Sequence, residues 1–523
     1  MSACSGPKVV AVGSIAVVDG RSLHTNPAPV SYGAVKNMTR GTRERWMVSH
    51  RQGGATRRPV YSGFVVVCTA LVGLLASAAA PGETLSDALA QAYGTNPDLK
   101  AARAALDVQN ELRPQALAGW LPSVTITGSA QRAVNANPVN SNFQSGFNGS
   151  NRVNDLIIQP GLSQPIANGK QFPQLAQAED LIRQQRAVLL QAEETVLGNA
   201  ATTYMAVLAD VQQLESQIAN RGRLRQAASA IEKLLRIGAV TLADLALAKA
   251  RLEQAEAAVA AAQGQLDQDR ATYITVIGVP PGTLQPPKPL ALLPLHLAEA
   301  SEVARNSNAS VVIADYALHA ARDGIRVAEG ALLPSLSAVA NWNNDARVTQ
   351  GGLGPPLNGP YRFAFFGLQL TMPLYQGGAD YSHVRQAKKT EMELRFQLAS
   401  ARDKAVSMLR QAWAIRAAAE AAVEFNTAQV EAAQLALTQY QRQFQAGLLS
   451  VIDLLTTYQQ LVAAEIALSQ AQQSRIVSDF QVLGAIGGLT ARTLHLPVAY
   501  YDPEGDYREV KWKIFGLSVA PID

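Results

Sequence analysis

Two stretches of this chain, from Pro173 to Pro280 and from Pro373 to Pro497, hold no proline between their ends, although the 523 residues contain 26 prolines in all. Both are rich in Ala, Gln, Leu, Glu and Arg, which favour helix and lack breakers. In the first, Leu197, Ala200, Tyr204, Val207, Val211, Leu214 and Ile218 step by three and four; in the second, Val430, Ala433, Leu437, Tyr440 and Phe444 do the same. That spacing is a heptad seam and predicts coiled-coil packing. At about 1.5 Å per residue, a helix from Gln174 to Gly238 runs roughly 95 Å. No ordinary globular domain needs such a helix.

Each helical stretch is broken once, and the two breaks read alike. Gly238, Thr241, Asp244 and Glu256 fall opposite Gly447, Ser450, Asp453 and Glu465. Leu121-Pro122-Ser123 matches Leu333-Pro334-Ser335. Leu162, Pro165, Ile166 and Gly169 match Leu370, Pro373, Leu374 and Gly377, in the same order and at nearly constant offset. The chain is a tandem duplication of one structural unit. Glycine at the break accepts positive φ and ends one helix; Thr241 or Ser450 caps the next, with Asp244 or Asp453 in the acidic position of a capping box. Each copy is expected to form a helical hairpin with a tight tip. Turn chemistry accounts fully for the glycines and hydroxyls and partly for the aspartates, which leaves a second role open for Asp244 and Asp453.

Between the helical stretches the period changes. Val124, Ile126 and Gly128 alternate with Thr125, Thr127 and Ser129, and a second run ends at Pro165. Leu336 to Asn344 and Tyr361 to Met372 repeat the pattern, with Phe366, Leu368, Leu370 and Met372 on one face and Gly367, Gln369 and Thr371 on the other. Two loops, Asn135 to Asn151 and Gly351 to Pro360, separate the members of each pair. This predicts four strands of about 9 to 11 residues, the length of a tilted membrane-spanning strand. Four strands with a lipid-facing side leave two open edges, so closure requires other chains. Three chains would make a barrel of twelve strands. Trp120, Trp342, Tyr361, Phe363 and Phe365, near strand ends, suit an interfacial aromatic belt.

The N-terminal part reads as removable. Residues 1–46 show no sustained periodicity and read as an untranslated or disordered extension before the internal Met47. From there Arg51, Arg57 and Arg58 precede an apolar run, Gly63 to Ala76, and the small-residue site Ala78-Ala79-Ala80. Residues 47–80 are thus expected to be a signal peptide, cleaved at Ala78 to Ala80. A retained anchor is disfavoured because the apolar run is shorter than the roughly 20 residues a span needs.

The formal charge of +4 comes from 45 Lys+Arg and 41 Asp+Glu. Residues 1–80 hold about 9 of the basic and about 2 of the acidic groups, so the remainder is mildly acidic and nothing suggests nucleic acid. Cys4 and Cys68 both fall in that leading part. The processed chain therefore has no disulfide and no cysteine-based metal site.

These features together resemble the TolC family of trimeric outer-membrane efflux and secretion channels. The resemblance covers Glu83 to Leu517. It rests on the opening E-T-L-S-D-A-L-A-Q-A-Y-G-T-N-P-D-L from Glu83, the turn P-L-Y-Q-G-G at Pro373 to Gly378, both G-x-x-[TS]-x-x-D tips, and the tail Y-D-P-E-G-D-Y-R-E-V-K-W-K-I-F-G-L. The tail is similar to alphaproteobacterial members, some described as type I secretion components.

The resemblance implies a mostly α protein with a transmembrane β part. Long coiled-coil hairpins would form a periplasmic α-barrel, with four strands per protomer in a 12-stranded outer-membrane barrel closed by trimerisation. Two repeats, 81–288 and 289–496, and an equatorial tail, 497–523, follow. It also implies a homotrimer in outer-membrane lipid that docks a periplasmic adaptor and an inner-membrane RND or ABC transporter, with no cofactor and no nucleic acid. Aspartates of the second hairpin ring the pore constriction in the family. Asp453 matches the first of them, with Asp244 the weaker candidate; the second is Thr456 here, and a latching arginine is replaced by Leu449. Gly238, Thr241, Leu242, Gly447, Leu448 and Ser450 match the adaptor-facing tip.

An enzyme is disfavoured. His296, His319, His383 and His495 are scattered, and no metalloprotease, nucleophile-elbow or phosphate-loop pattern occurs. The nearer alternative is a soluble periplasmic coiled-coil adaptor, which shares long hairpins but leaves the paired strand segments unexplained.

Overall fold

The structure, a computed structural model, describes residues 82–135, 151–290, 293–294, 296–350 and 359–519. The extension over 1–46 and the expected signal peptide with its Ala78 and Ala80 site lie outside the described residues. So does most of both loops between the paired strands.

The first copy runs α1 (Leu85–Thr95), α2 (Pro97–Asn110), α3 (Leu112–Ala118), β1 (Ser123–Asn135), β2 (Asn151–Ala167), α4 (Gln171–Arg236) and α5 (Leu242–Ile277). The second runs α6 (Leu297–Ser307), α7 (Ala309–Gly330), β3 (Ser335–Gln350), β4 (Gly359–Thr371), α8 (Ala379–Gln445) and α9 (Val451–Ala485), and the short α10 (Gly505–Val510) follows. Short helices, a strand pair, a very long helix and a return helix thus occur twice in one order. At 66 and 67 residues, α4 and α8 each extend roughly 100 Å.

The four strands form one antiparallel sheet in the order β1-β2-β3-β4. Val124, Leu162, Ala340 and Phe366 stand side by side in register, and Thr125, Gly161, Asn341 and Phe365 fill the next row. Successive side chains alternate between faces, so one face collects Val, Ile, Leu and Phe while the other collects Thr, Asn and Gln. Large apolar side chains on the first face are bare in the single chain; Phe366 is 78% exposed.

Two expectations change here. The strands have 13 to 17 residues rather than about 9 to 11, and β2 runs through Pro160 and past Pro165, where its run was expected to end. Proline lacks an N–H donor and is tolerated where a ladder bond is not required. Accordingly the β2–β3 register skips Pro160, and a bulge follows Pro165. Of the expected aromatic belt, Trp342 lies in register with Ala364 on the apolar face, whereas Phe363 and Phe365 fall on the polar face. Trp120 packs edge-on against Phe172 at the start of α4, with ring centroids 4.4 Å apart.

The helical seam also breaks where packing changes hands. Leu197, Ala200, Tyr204 and Val207 are buried in a core with α1, α2, α5, α9 and the segment 489–496, and Val211 and Leu214 border it. A second core begins at Leu224. Ile218, between the two, is 43% exposed.

Candidate functional site

The far ends of the two hairpins are built from the duplicated motif. Gly238 and Gly447 have φ of 76° and 74°, a backbone state that glycine adopts without a Cβ penalty. Behind Gly238, the Ala239 N–H donates to the Leu234 carbonyl at 2.9 Å and the Gly238 N–H to that of Leu235 at 3.0 Å; Leu448 to Gln443 and Gly447 to Phe444 repeat the pair at 2.9 and 3.0 Å. These paired bonds satisfy carbonyls that the helix end would leave open. Both α4 and α8 therefore stop in the same way.

The return helices start less equally. At the first tip the Thr241 hydroxyl accepts the Asp244 N–H at 3.2 Å, while the Asp244 carboxylate accepts the Thr241 N–H at 2.9 Å and its hydroxyl at 2.7 Å. The box is reciprocal. The hydroxyl bond first and the backbone bond second hold the Asp244 carboxyl below its usual range. At the second tip Ser450 accepts the Asp453 N–H at 3.2 Å and its hydroxyl donates to the carboxylate at 2.6 Å, but the reciprocal backbone bond is not made. Asp453 is correspondingly less committed to the cap.

Both tips share one core. Leu224, Ala228 and Ile231 of α4 and Leu245 and Ala248 of α5 meet Leu437 of α8 and Val451, Leu454, Leu455 and Tyr458 of α9. Leu449, where the latching arginine would stand, packs against this core. Thr456 is exposed and its hydroxyl donates back to the Ile452 carbonyl at 2.8 Å. Gly238, Thr241, Leu242, Gly447, Leu448, Ser450 and Asp453 are all exposed. So are Ile237 and Ile452, which sequence reasoning did not single out. The duplicated Glu256 and Glu465 have parted roles: Glu256 pairs with Arg225 at 2.6 Å inside its own hairpin, and Glu465 with Arg223 across to the other at 3.5 Å.

Among the described residues no group of three or more His, Cys, Asp and Glu could hold a metal ion, and no helix is long and apolar enough to cross a membrane. The sheet, the long hairpins and their tips are the features to be matched. The sequence model of the outer membrane efflux protein family matches residues 88–279 and 300–488. The chain belongs to that family. A curated relative, outer membrane efflux protein BepC of Brucella suis biovar 1 (strain 1330), is 32% identical over 449 residues, which cover 85% of this chain and 94% of BepC. Outer membrane protein TolC of Escherichia coli (strain K12) is 24% identical over 439 residues, covering 80% and 85%.

The fold of this outer membrane efflux protein is that of the solved channels. The Campylobacter jejuni CmeC outer membrane channel matches with a TM-score of 0.68 at 18% identity, over 82% of this chain and 89% of that one. The Neisseria gonorrhoeae MtrE outer membrane channel, in its open state, matches with 0.61 at 20% identity, over 78% and 89%. Family membership and the single four-stranded sheet favour a channel over the soluble adaptor reading.

At the opposite end of each hairpin, the chain carries a second duplicated device, one that the sequence alone did not single out. Asn96 and Asn308, both buried, occupy the junctions α1–α2 and α6–α7. Each side-chain oxygen caps the next helix, accepting from Asp98 N at 2.9 Å or Ser310 N at 3.0 Å. Each side-chain amide reaches the end of a return helix, donating to the Val276 or Ala485 carbonyl at 3.0 Å. Gly278 and Gly487, with φ of 94° and 77°, follow those helices. The signal was present in the sequence as T-N-P-D beside S-N-A-S, a pair of asparagines at the same offset as Pro122 and Pro334.

Proposed function

We propose that three copies of this chain assemble into a passive outer-membrane duct through which an inner-membrane RND or ABC transporter, joined by a periplasmic adaptor, sends small molecules or a type I secreted protein outward. The observation that carries this is the sheet. Its apolar face is bare and the outer edges of β1 and β4 have no partner among the described residues, a state that is unstable in a bilayer unless other copies close the ring. Twelve strands from three chains meet that need. The same axis gathers the long hairpins below the barrel, with six tips around one periplasmic opening.

The tip residues then divide into two sets. Leu242 and Leu448, beside Gly238, Thr241, Gly447 and Ser450, offer exposed apolar surface to an adaptor. Asp453, exposed and only partly used as a cap, supplies one carboxylate per protomer to a ring at the constriction, where like charges attract cations. Asp244, locked into its box, serves as a cap. Detergent extraction of the outer-membrane fraction followed by cross-linking tests the assembly; a monomer released by salt alone would overturn it. In planar bilayers Asp453→Asn is expected to lower cation selectivity severalfold and Asp244→Asn to leave it unchanged. Equal selectivity for both variants and the native channel would remove Asp453 from the ring.

A further inference from the structure

The polar face of the sheet, on which Ile157 and Val339 are half-buried, also carries two exposed aromatic rings. Its rows read Ser123 and Ser163, Thr125 with Gly161, Asn341 and Phe365, and Thr127 with Gln159. A Cβ built on Gly161 would stand 2.7 Å from the Asn341 side chain and 3.6 Å from the Thr125 hydroxyl, so Asn341 and Thr125 do project on this face. Phe363 and Phe365 stand there on β4, opposite Asn343 and Asn341, and are 44% and 52% exposed. The tip of the Phe365 ring reaches along the strand over Gly367, whose added Cβ would meet Cζ at 2.8 Å and Cε1 at 3.2 Å. A ring whose tip rests over a glycine stays close to the wall and narrows the space before it less.

We propose that Phe363 and Phe365 form an aromatic contact surface on the inner wall of the barrel, which takes aromatic and amphipathic cations in transit. The proposal rests on the duct reading above, because only closure of the sheet with its apolar face outward turns the polar face into a lumen. Three copies then present six rings. The strand that would close against β4 in a neighbouring copy is the other free edge, β1, and the lumen-side residues there are Ser123, Thr125, Thr127, Ser129 and Gln131. The joint between protomers thus offers hydroxyl and amide groups, not an apolar partner, on the side where Phe365 lies. Ring faces attract cations and stack on other rings. The cation ring proposed at the far, periplasmic opening selects the same charge. Weak wall contact suits a duct, since a site must release what it binds for conduction to continue.

The test is block of the full trimer in planar bilayers, with benzyltrimethylammonium added on the barrel side and tetramethylammonium as the probe of equal charge without a ring. The Phe363→Ser/Phe365→Ser variant is expected to bind benzyltrimethylammonium roughly fivefold more weakly, a loss of the size of one aromatic contact, with tetramethylammonium unchanged. Gly367→Ala, which lifts the Phe365 ring off the wall and removes no apolar group, is expected to strengthen block by the benzyl cation. Equal block of native and doubly substituted channels overturns the proposal. So does loss of the detergent-resistant trimer in the double variant with native block by Gly367→Ala, which would place the rings in the joint instead. Absence of any conductance from the native trimer would overturn the duct reading itself and is distinct from both.

Discussion

The two ends of each hairpin were copied by the same duplication and have fared differently. At the base, Asn96 and Asn308 make the same two kinds of bond to the same structural neighbours, and Gly278 and Gly487 turn the chain in the same left-handed conformation. At the tips, the helix stops have stayed alike while the helix starts have diverged: the Thr241–Asp244 box is reciprocal and the Ser450–Asp453 one is not. A buried junction tolerates little change, because an unpaired polar group or a misplaced Cβ there has no water to turn to. An exposed tip has water as a substitute partner. The tips are therefore where the two copies could acquire separate roles.

The largest expected contrast lies between glycines of equal φ. A Cβ at Gly487 would approach the Ser307 carbonyl oxygen to within 2.2 Å, whereas one at Gly447 meets nothing within 4 Å. Gly447→Ala bears only the left-handed backbone strain, about 1 kcal/mol. Gly487→Ala adds a backbone clash and is expected to exceed about 3 kcal/mol, seen as a much lower melting temperature of the trimer in detergent. Equal losses would show that the base can relax. Next in size, Asn308→Ala removes a cap and leaves the Ala485 carbonyl unpaired, for about 2 kcal/mol. Asn96→Ala is expected to match it, and a clear difference between the two would break the equivalence of the bases.

The bases and tips should also answer pH in opposite senses. Glu193 and Glu194 of α4 press against the segment after α9, where Glu193 accepts the Ala491 N–H at 2.7 Å. Burial first, and the charge of Glu193 after it, push the Glu194 carboxyl up to about 8 against a bond from the Leu489 N–H that opposes this. The folded chain therefore keeps a proton that the unfolded chain, at the usual carboxylate value, gives up. By linkage, this contribution to stability is whole below about pH 4, falls as pH rises toward 8, and is flat above that. Glu194→Gln is expected to melt at a more nearly constant temperature from pH 5 to 8, and unchanged pH dependence would discount the burial. Asp244 acts in reverse: its lowered value means that the cap's contribution is present above the usual aspartate range and is lost as pH falls through the folded value.

Much of this architecture was legible because its signals are long-range and redundant. Two proline-free runs locate α4, α5, α8 and α9, and the paired Gly238 and Gly447 mark both turns to the residue. The strands were found by alternation but cut short; β2 was ended at Pro165, although a proline ends a strand only where a ladder bond must be donated. Phe363 and Phe365 were misplaced for a related reason. Proximity to a strand end says nothing about face, which is set by parity with Phe366. Asn96 and Asn308 were missed because an asparagine before a helix looks like any cap. Its second bond, to a carbonyl 180 or 177 residues away, exists only once the hairpin has folded back.

The smallest effects expected are at the helix starts, and they measure how far the tips have diverged. Removing a hydroxyl cap costs about 1 kcal/mol in general. Thr241→Ala removes the hydroxyl that donates to the Asp244 carboxylate and accepts the Asp244 N–H, but leaves the backbone N–H of residue 241 bonded to that carboxylate. Ser450→Ala removes the same pair of hydroxyl bonds and leaves Asp453 no bond to its cap residue. Ser450→Ala is thus expected to lower the melting temperature by more, with Thr241→Ala at the smaller effect. Hydrogen exchange at the amides of Asp244 and Asp453 resolves the two locally, even where global melting does not. Greater protection at Asp453 than at Asp244 would reverse the comparison. The second tip would then be the rigid one, and Asp453 would be bound to its helix rather than available to the pore.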